Sequence, residues 1–299
     1  MEIKFVNQNQ EPLKLKTFLS QQKISRRLLA KIKYAGGTLL VNKTKVTVRA
    51  LLYPGDEVKL ILPPEKNRQH ELIASYVPID ILYEDADFLV VQKPAHVASI
   101  PSILHSDDSL INRVYGYYKL KNYQGILPHI VTRLDRDTSG LVLFAKHRYA
   151  HALLDEQLRN HQVKKTYLAI LSGHIDFSSK EIIQPIARCH DSTMKRQVDK
   201  DGQYAHTSLK VIEHLVDATV CLVQLHTGRT HQIRVHCAYL NHPLIGDSLY
   251  GGQIKMPLQR QALHCHQLTF YHPFKQKIVT FTSLLPYDMQ MYLKKERRN

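Results

Sequence analysis

The stretch Thr132-Arg133-Leu134-Asp135-Arg136-Asp137-Thr138-Ser139-Gly140 interleaves two carboxylates with two arginines. Two hydroxyls and a glycine follow, then the apolar run Leu141-Val142-Leu143-Phe144-Ala145. Pairing with Arg133 or Arg136 would keep a carboxylate ionised and lower its pKa. Such a group can serve as a nucleophile or as a base. The plain alternative is a charged loop that turns at Gly140, because ion-pair clusters are often purely structural. Thr138 and Ser139 read as loop hydrogen-bonders, since no partnered base accompanies them.

Other residue types suggest chemistry less directly. The chain has 18 histidines, and His226, His231, His236, His264 and His266 invite a metal reading. The five-residue steps of the first three do not share a helical face, and no ligand motif is matched, so no metal and no cofactor is expected. Four cysteines, Cys189, Cys221, Cys237 and Cys265, form no CxxC pair and are expected to be reduced thiols, mostly buried.

These residues need elements to place them. In residues 12–65, Leu15, Phe18 and Leu19 mark one short helix, and Ser25 caps a second carrying Leu28, Leu29 and Ile32. Gly36-Gly37 ends it. Strands are predicted at Thr38–Val41, Lys45–Val48 and Glu57–Leu62, the last after a Pro54-Gly55-Asp56 turn. Residues 66–78 read as a linker. In residues 79–299 the spacing predicts strands at Ile81–Tyr83, Phe88–Val91, Leu141–Ala145, Lys164–Leu171, Thr207–Glu213, Ala218–Leu225, Leu263–Phe270 and Ile278–Thr282. Helices are predicted at Ser109–Tyr118, His147–Arg159 and Thr230–Leu240. Strands outnumber helices without a strict βαβ rhythm. The fold class is therefore α+β, a mixed and mainly antiparallel sheet preceded by a small α/β unit.

Charge names the partner class. Lys and Arg total 41 against 26 Asp and Glu, a net +15. Residues 1–70 alone hold 14 Lys/Arg and 5 Asp/Glu. A field concentrated there points to a polyanion, nucleic acid first. A membrane partner is not expected, because neither a basic amphipathic helix rich in Trp or Phe nor an apolar run of roughly 18–20 residues is present. Met1-Glu2-Ile3-Lys4-Phe5 has no apolar leader, so the expected location is the cytoplasm.

Two resemblances sharpen this. Ile24-Ser25-Arg26-Arg27, Gly36-Gly37, Val41-Asn42 and Pro54-Gly55-Asp56-Glu57-Val58 resemble the S-four-like RNA-binding domain. That likeness implies RNA contacts through Lys23, Arg26, Arg27, Lys31 and Lys33. From about residue 80 onward, three motifs in register resemble the RluA-type RNA pseudouridine synthases. They are Arg133–Gly140, Lys165-Thr166-Tyr167 and Thr227-Gly228-Arg229-Thr230-His231-Gln232-Ile233-Arg234-Val235-His236, with Asn241–Asp247 following. One departure stands out. The family commonly has His before Arg-Leu-Asp, where this chain has Thr132.

The second resemblance implies that a uridine in RNA is isomerised after leaving its stack. Asp135 matches the catalytic carboxylate, acting on the sugar or on the base. Arg234 matches its ionic partner, Tyr167 the residue that packs on the uracil, Ile233 an apolar pocket residue, and Arg133 a filler of the gap in the RNA stack. Asp137 reads as a holder of the loop, through Arg136 or a backbone N–H. Ribosomal RNA is the first expected substrate, of the large subunit, and transfer RNA the second; a monomer is expected. Two rival readings remain. One is an RNA-binding ribosome-assembly factor without chemistry. The other is a metal-dependent nuclease or phosphoryl-transfer enzyme using Asp135 and Asp137.

Overall fold

The computed structural model describes residues 1–65, 72–102, 106–189, 191–192 and 194–297. Residues 66–71 of the expected linker lie outside the described residues.

The chain begins with β1 (Glu2–Val6), β2 (Leu13–Lys14), α1 (Leu15–Gln21), α2 (Arg26–Tyr34), β3 (Thr38–Val41), β4 (Thr44–Lys45), β5 (Leu51–Leu52) and β6 (Glu57–Ile61). Ser25 caps α2 as its composition suggests, its hydroxyl accepting the Leu28 N–H at 3.1 Å. Two boundaries differ from expectation. The unit does not start at residue 12, because β1 pairs along the whole of β6 and turns Ile3 inward. The expected strand Lys45–Val48 is only β4, because the chain then bends to the helix start. There the Val48 and Ala50 carbonyls accept the Lys16 and Leu15 N–H groups at 3.0 and 2.8 Å, which a helix terminus would otherwise leave unmade.

The remaining elements are β7 (Asp80–Glu84), β8 (Phe88–Lys93), α3 (Leu110–Leu120), β9 (His129–Ile130), β10 (Ser139–Ala145), α4 (Arg148–Arg159), β11 (Lys164–Ser172), β12 (Ser179–Ile183), β13 (Ile186–Arg188), β14 (Arg196–Val198), β15 (His206–His214), β16 (Ala218–Leu225), α5 (Gln232–Tyr239), β17 (Leu263–His272), β18 (Lys277–Thr282) and α6 (Tyr287–Glu296). One large sheet runs β12-β15-β16-β11-β17-β10-β8-β7, with β18 beside β17 and β9 beside β10. The fold is a mixed α+β with a mainly antiparallel sheet, as expected. Among the described residues, its one parallel pairing joins β10 to β17, through Ser139–His264 and Gly140–Cys265.

The central strands explain themselves. Every residue of β10 is buried, as is Phe88–Val91 of β8, so both read as continuous apolar runs rather than alternating ones. Their side chains meet those of α3, α4 and β11 in the main core. Helix α6 is an addition to the sequence reading. Met289, Tyr292 and Leu293 recur at helical spacing and pack on Ile170, Val220 and Leu258.

The basic N-terminal unit shares a core with the larger C-terminal one. Tyr149 and Leu153 of α4, with Phe274, join Phe5, Phe18, Leu19 and Leu28 in one apolar cluster. The Tyr149 hydroxyl donates to the Gln22 carbonyl at 2.8 Å. Glu65 accepts the Arg148 N–H at 3.0 Å and lies 2.7 Å from His129 Nε2.

Candidate active site

The charged loop that precedes β10 is fixed from below by buried polar groups. The Ser99 hydroxyl donates to the Leu134 carbonyl at 2.6 Å and accepts the Leu134 N–H at 3.0 Å. Lys93, 1% exposed, donates to the carbonyls of Pro94, Val97 and Arg136 at 2.9, 2.7 and 2.7 Å. All three ammonium protons are therefore used. Burial brings its pKa down to about 7, against the pull of Asp137 and Asp135. Arg260 donates to the Asp137 carbonyl at 3.0 Å and to the Ser139 hydroxyl at 3.2 Å, and is anchored in turn by Asp288. Gln261 donates to the Thr138 hydroxyl at 3.2 Å.

Several single-residue readings can now be placed. Thr138 and Ser139 are loop hydrogen-bonders, the latter 3.0 Å from His264 Nδ1. Thr132 is buried, and its hydroxyl accepts the Leu143 N–H at 3.0 Å, so it too holds the loop. Gly140 has φ +117 and abuts Cys265 so closely that a Cβ would lie 2.3 Å from the Cys265 carbonyl oxygen. No side chain fits there, and the positive φ favours glycine independently. Asp137 binds the Arg136 guanidinium at 3.0 and 3.1 Å and lies 3.0 Å from His96 Nδ1. These contacts hold its carboxyl below the ordinary range although burial acts the other way.

Asp135 is turned the opposite way, into a cleft of about 460 Å³. Its side chain is 27% exposed. Arg133, Tyr167, Ile233 and Arg234 line the same cleft, so the sequence-predicted residues converge. Arg133 is exposed at the rim; Ile233 and Tyr167 are buried. Burial, with Cys265 and Asp135 nearby, pushes the Tyr167 phenol well up, so it keeps its proton.

The ionic partner expected for Asp135 has another allegiance. Arg234 gives Nε and Nη2 to Asp247 at 2.7 and 2.8 Å, with both side chains nearly buried. Only Nη1 turns to Asp135, at 3.4 Å. The tight buried pair is Arg234–Asp247, and Asp135 receives the remaining edge of the fork. His231 Nε2 lies 3.9 Å from Asp135, and its Nδ1 is 2.9 Å from the Tyr250 hydroxyl. Burial lowers the His231 pKa while Asp135 opposes the shift.

The third motif is shorter as a helix than expected. His231 has φ +57 and sits at the N-cap, so α5 starts at Gln232. Gln232 staples the turn. Its Oε1 accepts the Thr227 hydroxyl at 2.8 Å and the Arg229 N–H at 3.0 Å, and its Nε2 donates to the His206 carbonyl and the Thr207 hydroxyl. His236 is packed, between Thr207 and the Gln184 carbonyl. Asp247, Gln232, Lys93 and Arg260 are site-building residues that the sequence reading did not single out. Asp247 and Gln232 lay inside recognised motifs; Arg260 carried no local signal.

The five basic residues of the N-terminal unit separate into two groups. Lys23 pairs with Glu156 of α4 at 2.9 Å. Arg26, Arg27 and Lys33 are exposed and Lys31 is half-buried. Arg27 is close enough to Arg148 of α4 to depress its pKa beyond the larger effect of burial, so positive charge continues across the junction. The four cysteines are free thiols, three of them buried. Among the described residues one group of potential ligands, Glu181, His206 and His226, lies within 4.8 Å; it is outside the cleft and bridged by the Ser208 hydroxyl. Among them no helix is long and apolar enough to cross a membrane.

The mixed sheet thus carries a central cleft that gathers a partly exposed carboxylate, a buried tyrosine and a shared arginine fork. A family model described as RNA pseudouridylate synthase matches residues 87–239, from the turn before β8 through α5. The uncharacterized RNA pseudouridine synthase YjbO of Bacillus subtilis is 43% identical over 94% of this chain and 99% of its own length. Ribosomal large subunit pseudouridine synthase D of Pseudomonas aeruginosa is 35% identical over 84% of this chain and 82% of its own. The solved structure of human RNA Pseudouridylate Synthase Domain Containing 1 covers 76% of this chain and 97% of that chain at 24% identity, with a TM-score of 0.58, a likeness of fold. The chain belongs to the RluA-type family of RNA pseudouridine synthases and is an isomerase that acts on RNA.

Proposed function

We propose that this synthase acts on large-subunit ribosomal RNA, with Asp135 as its catalytic carboxylate and a uridine turned out of its stack into the cleft. Two relatives named ribosomal large subunit pseudouridine synthase D, from Zymomonas mobilis at 37% identity and Pseudomonas aeruginosa at 35%, support the choice of RNA. The observation that carries the chemistry is the orientation of Asp135: alone of the two loop carboxylates it faces the cleft, beside Arg234 and above Tyr167.

The reaction needs three things from the protein. The base must leave its stack, at a cost of about a few kcal/mol. Arg133 at the rim is suited to fill the space left behind. An ionised carboxylate must reach the ribose or the base, and Asp135 faces the cleft beside the free edge of the Arg234 fork. The detached uracil must then turn while still held. The flat phenol of Tyr167 and the apolar side chain of Ile233 suit a base that changes its edges but keeps its face.

In the same reading the N-terminal unit is an S-four-like RNA-binding domain. Arg26, Arg27, Lys31 and Lys33 meet phosphates, and Lys23 contributes less because Glu156 already neutralises it. The enzyme works in the cytoplasm as a monomer. Pseudouridine mapping of ribosomal and transfer RNA, with and without the gene, tests the substrate. A lost modification in large-subunit RNA, restored by the wild type and not by Asp135→Ala, is the expected result. A lost site confined to transfer RNA would overturn the choice of RNA.

A further inference from the structure

Lys165 is, among the described residues, a cation without a partner in the wall of the cleft. It lies on β11 two residues before Tyr167, so strand alternation turns both side chains to the same face. Both line the cleft, whereas Thr166 between them does not. Lys165 neighbours Cys265, which has no exposed surface, and Arg133. Burial lowers its pKa and Arg133 adds to the effect; only the Cys265 sulfur opposes them. That thiol is itself pushed up to about 11 by burial and carries no charge at neutral pH.

The two buried lysines among the described residues, Lys93 and Lys146, are satisfied. Lys93 donates to three carbonyls, and Lys146 binds Glu84 at 2.7 Å and the Asp85 carbonyl at 2.8 Å. Among the described residues Lys165 makes no ion pair and no side-chain hydrogen bond. Lys165 is half-buried, and an ammonium drawn partly out of water with no anion beside it is costly. Placed in a cleft, it is complementary to negative charge that arrives with, or develops on, a ligand.

The isomerisation produces such a charge. When the C1′–N1 bond breaks, N1 keeps the electron pair, and the uracil becomes an anion delocalised over O2 and O4. After the ring turns, C5 donates a pair to C1′. The C5 proton then leaves to a base and N1 takes one up, so the product is an isomer with no oxidant or reductant required.

We infer that the Lys165 ammonium donates to a carbonyl oxygen of the detached uracil and holds its negative charge while the ring turns. The inference rests on the reaction proposed above. A backbone phosphate is the less suitable anion, because the phosphates belong at the rim with the exposed Arg133 and Arg229, while Lys165 faces the buried Cys265. A flexible lysine is also suited to follow an oxygen that moves.

The test compares wild type, Lys165→Met, Lys165→Gln and Lys165→Arg in single-turnover reactions. The substrate is an RNA in which wild type forms pseudouridine, made once with uridine and once with 5-fluorouridine at the target. Cleavage of the N-glycosidic bond is read by nucleoside mass spectrometry, and RNA affinity is measured separately. On uridine, loss of the cation should slow the step by about 100-fold, the scale of one charge-stabilising donor. RNA affinity should change by less than about twofold. Lys165→Arg should recover part of the rate. On 5-fluorouridine, whose ring anion is intrinsically more stable, the deficit should shrink by about tenfold. Equal deficits on the two bases overturn the inference, as does a deficit explained wholly by weaker binding. If Lys165→Met does not fold, Lys165→Gln and Lys165→Arg carry the same comparison. A wild type that forms no pseudouridine in any RNA overturns the reaction and the lysine's part together. An active wild type with an equally active Lys165→Met overturns the lysine alone.

Discussion

Arg234 gives two nitrogens to Asp247 at 2.7 and 2.8 Å and one to Asp135 at 3.4 Å. The division separates stability from chemistry. Asp247, 1% exposed, is the anchor, and breaking a buried pair leaves an uncompensated charge. Asp247→Ala should lower the unfolding free energy by about 3–5 kcal/mol. Asp135→Asn should leave the denaturant midpoint almost unchanged, because a partly exposed carboxylate with only long contacts, to Arg234 and His231, contributes roughly 0–1 kcal/mol. It should nevertheless abolish pseudouridine formation. Urea titrations paired with single-turnover assays check both. Equal destabilisation by the two substitutions would contradict the division.

Gly140 is a steric requirement. A Cβ would meet the Cys265 carbonyl oxygen at 2.3 Å and its nitrogen at 2.6 Å, at φ +117. Gly140→Ala should cost about 3 kcal/mol or more, from strain and overpacking together. The damage should fall on activity as well, since the same residue ends the Asp135 loop. Differential scanning calorimetry of the variant is the direct measurement, and a transition at the wild-type temperature would show that the strands can part there freely.

Acid should weaken the protein in two stages. Burial lowers the His264 pKa to about 4, and its Nε2 meets no hydrogen-bond partner among the described residues. The unfolded imidazole titrates near 6.5, so between roughly pH 6.5 and 4 the unfolded state binds the extra proton. Stability therefore falls with pH through that window, by about 3 kcal/mol from this group. Asp85 acts lower down. Burial would raise its carboxyl, but Tyr83 and the Phe88 and Asp87 N–H groups hold it well below the usual range. Its contribution is complete above about pH 4 and is lost as pH falls further. His264→Asn should flatten the upper stage and Asp85→Asn the lower, in unfolding free energies measured from pH 3 to 8.

The basic helix should be tested by charge, not by deletion. Removing residues 1–65 would strip the cover from Tyr149, Leu153 and Phe274 and take Glu65 from His129 and Arg148. A combined Arg26→Gln, Arg27→Gln and Lys33→Gln variant leaves that core intact. It should weaken RNA binding and flatten the dependence of log affinity on log salt, by about 0.9 for each duplex phosphate no longer neutralised. Filter binding from 50 to 300 mM salt reads the slope. An unaltered slope would remove this surface from the RNA interface.

The sequence was most legible where side chains repeat with a period. The alternation in β16 and the helical spacing in α4 gave those elements nearly to the residue. Ser25 announced its helix by cap chemistry. The hidden features depend on contacts distant in sequence. Nothing local distinguishes Arg260 from a surface arginine, yet it reaches Asp137 and Ser139 from more than a hundred residues away. Asp247 lay inside a recognised motif, but its claim on Arg234 is visible only once α5 and the turn after it are packed together. β13 was missed because three residues carry too little periodicity, whereas β1 alternates over Glu2–Val6 and was passed over although its pattern was legible.

The apolar cluster shared by Phe18, Leu28, Tyr149 and Phe274 sets the basic helix at one separation from the Asp135 cleft, like the jaws of a calliper. An RNA meeting Arg26 and Arg27 would be measured as well as gripped: only a uridine at the matching span could reach the carboxylate. If those arginines hold phosphates, selection among many identical bases becomes a matter of distance along a folded RNA.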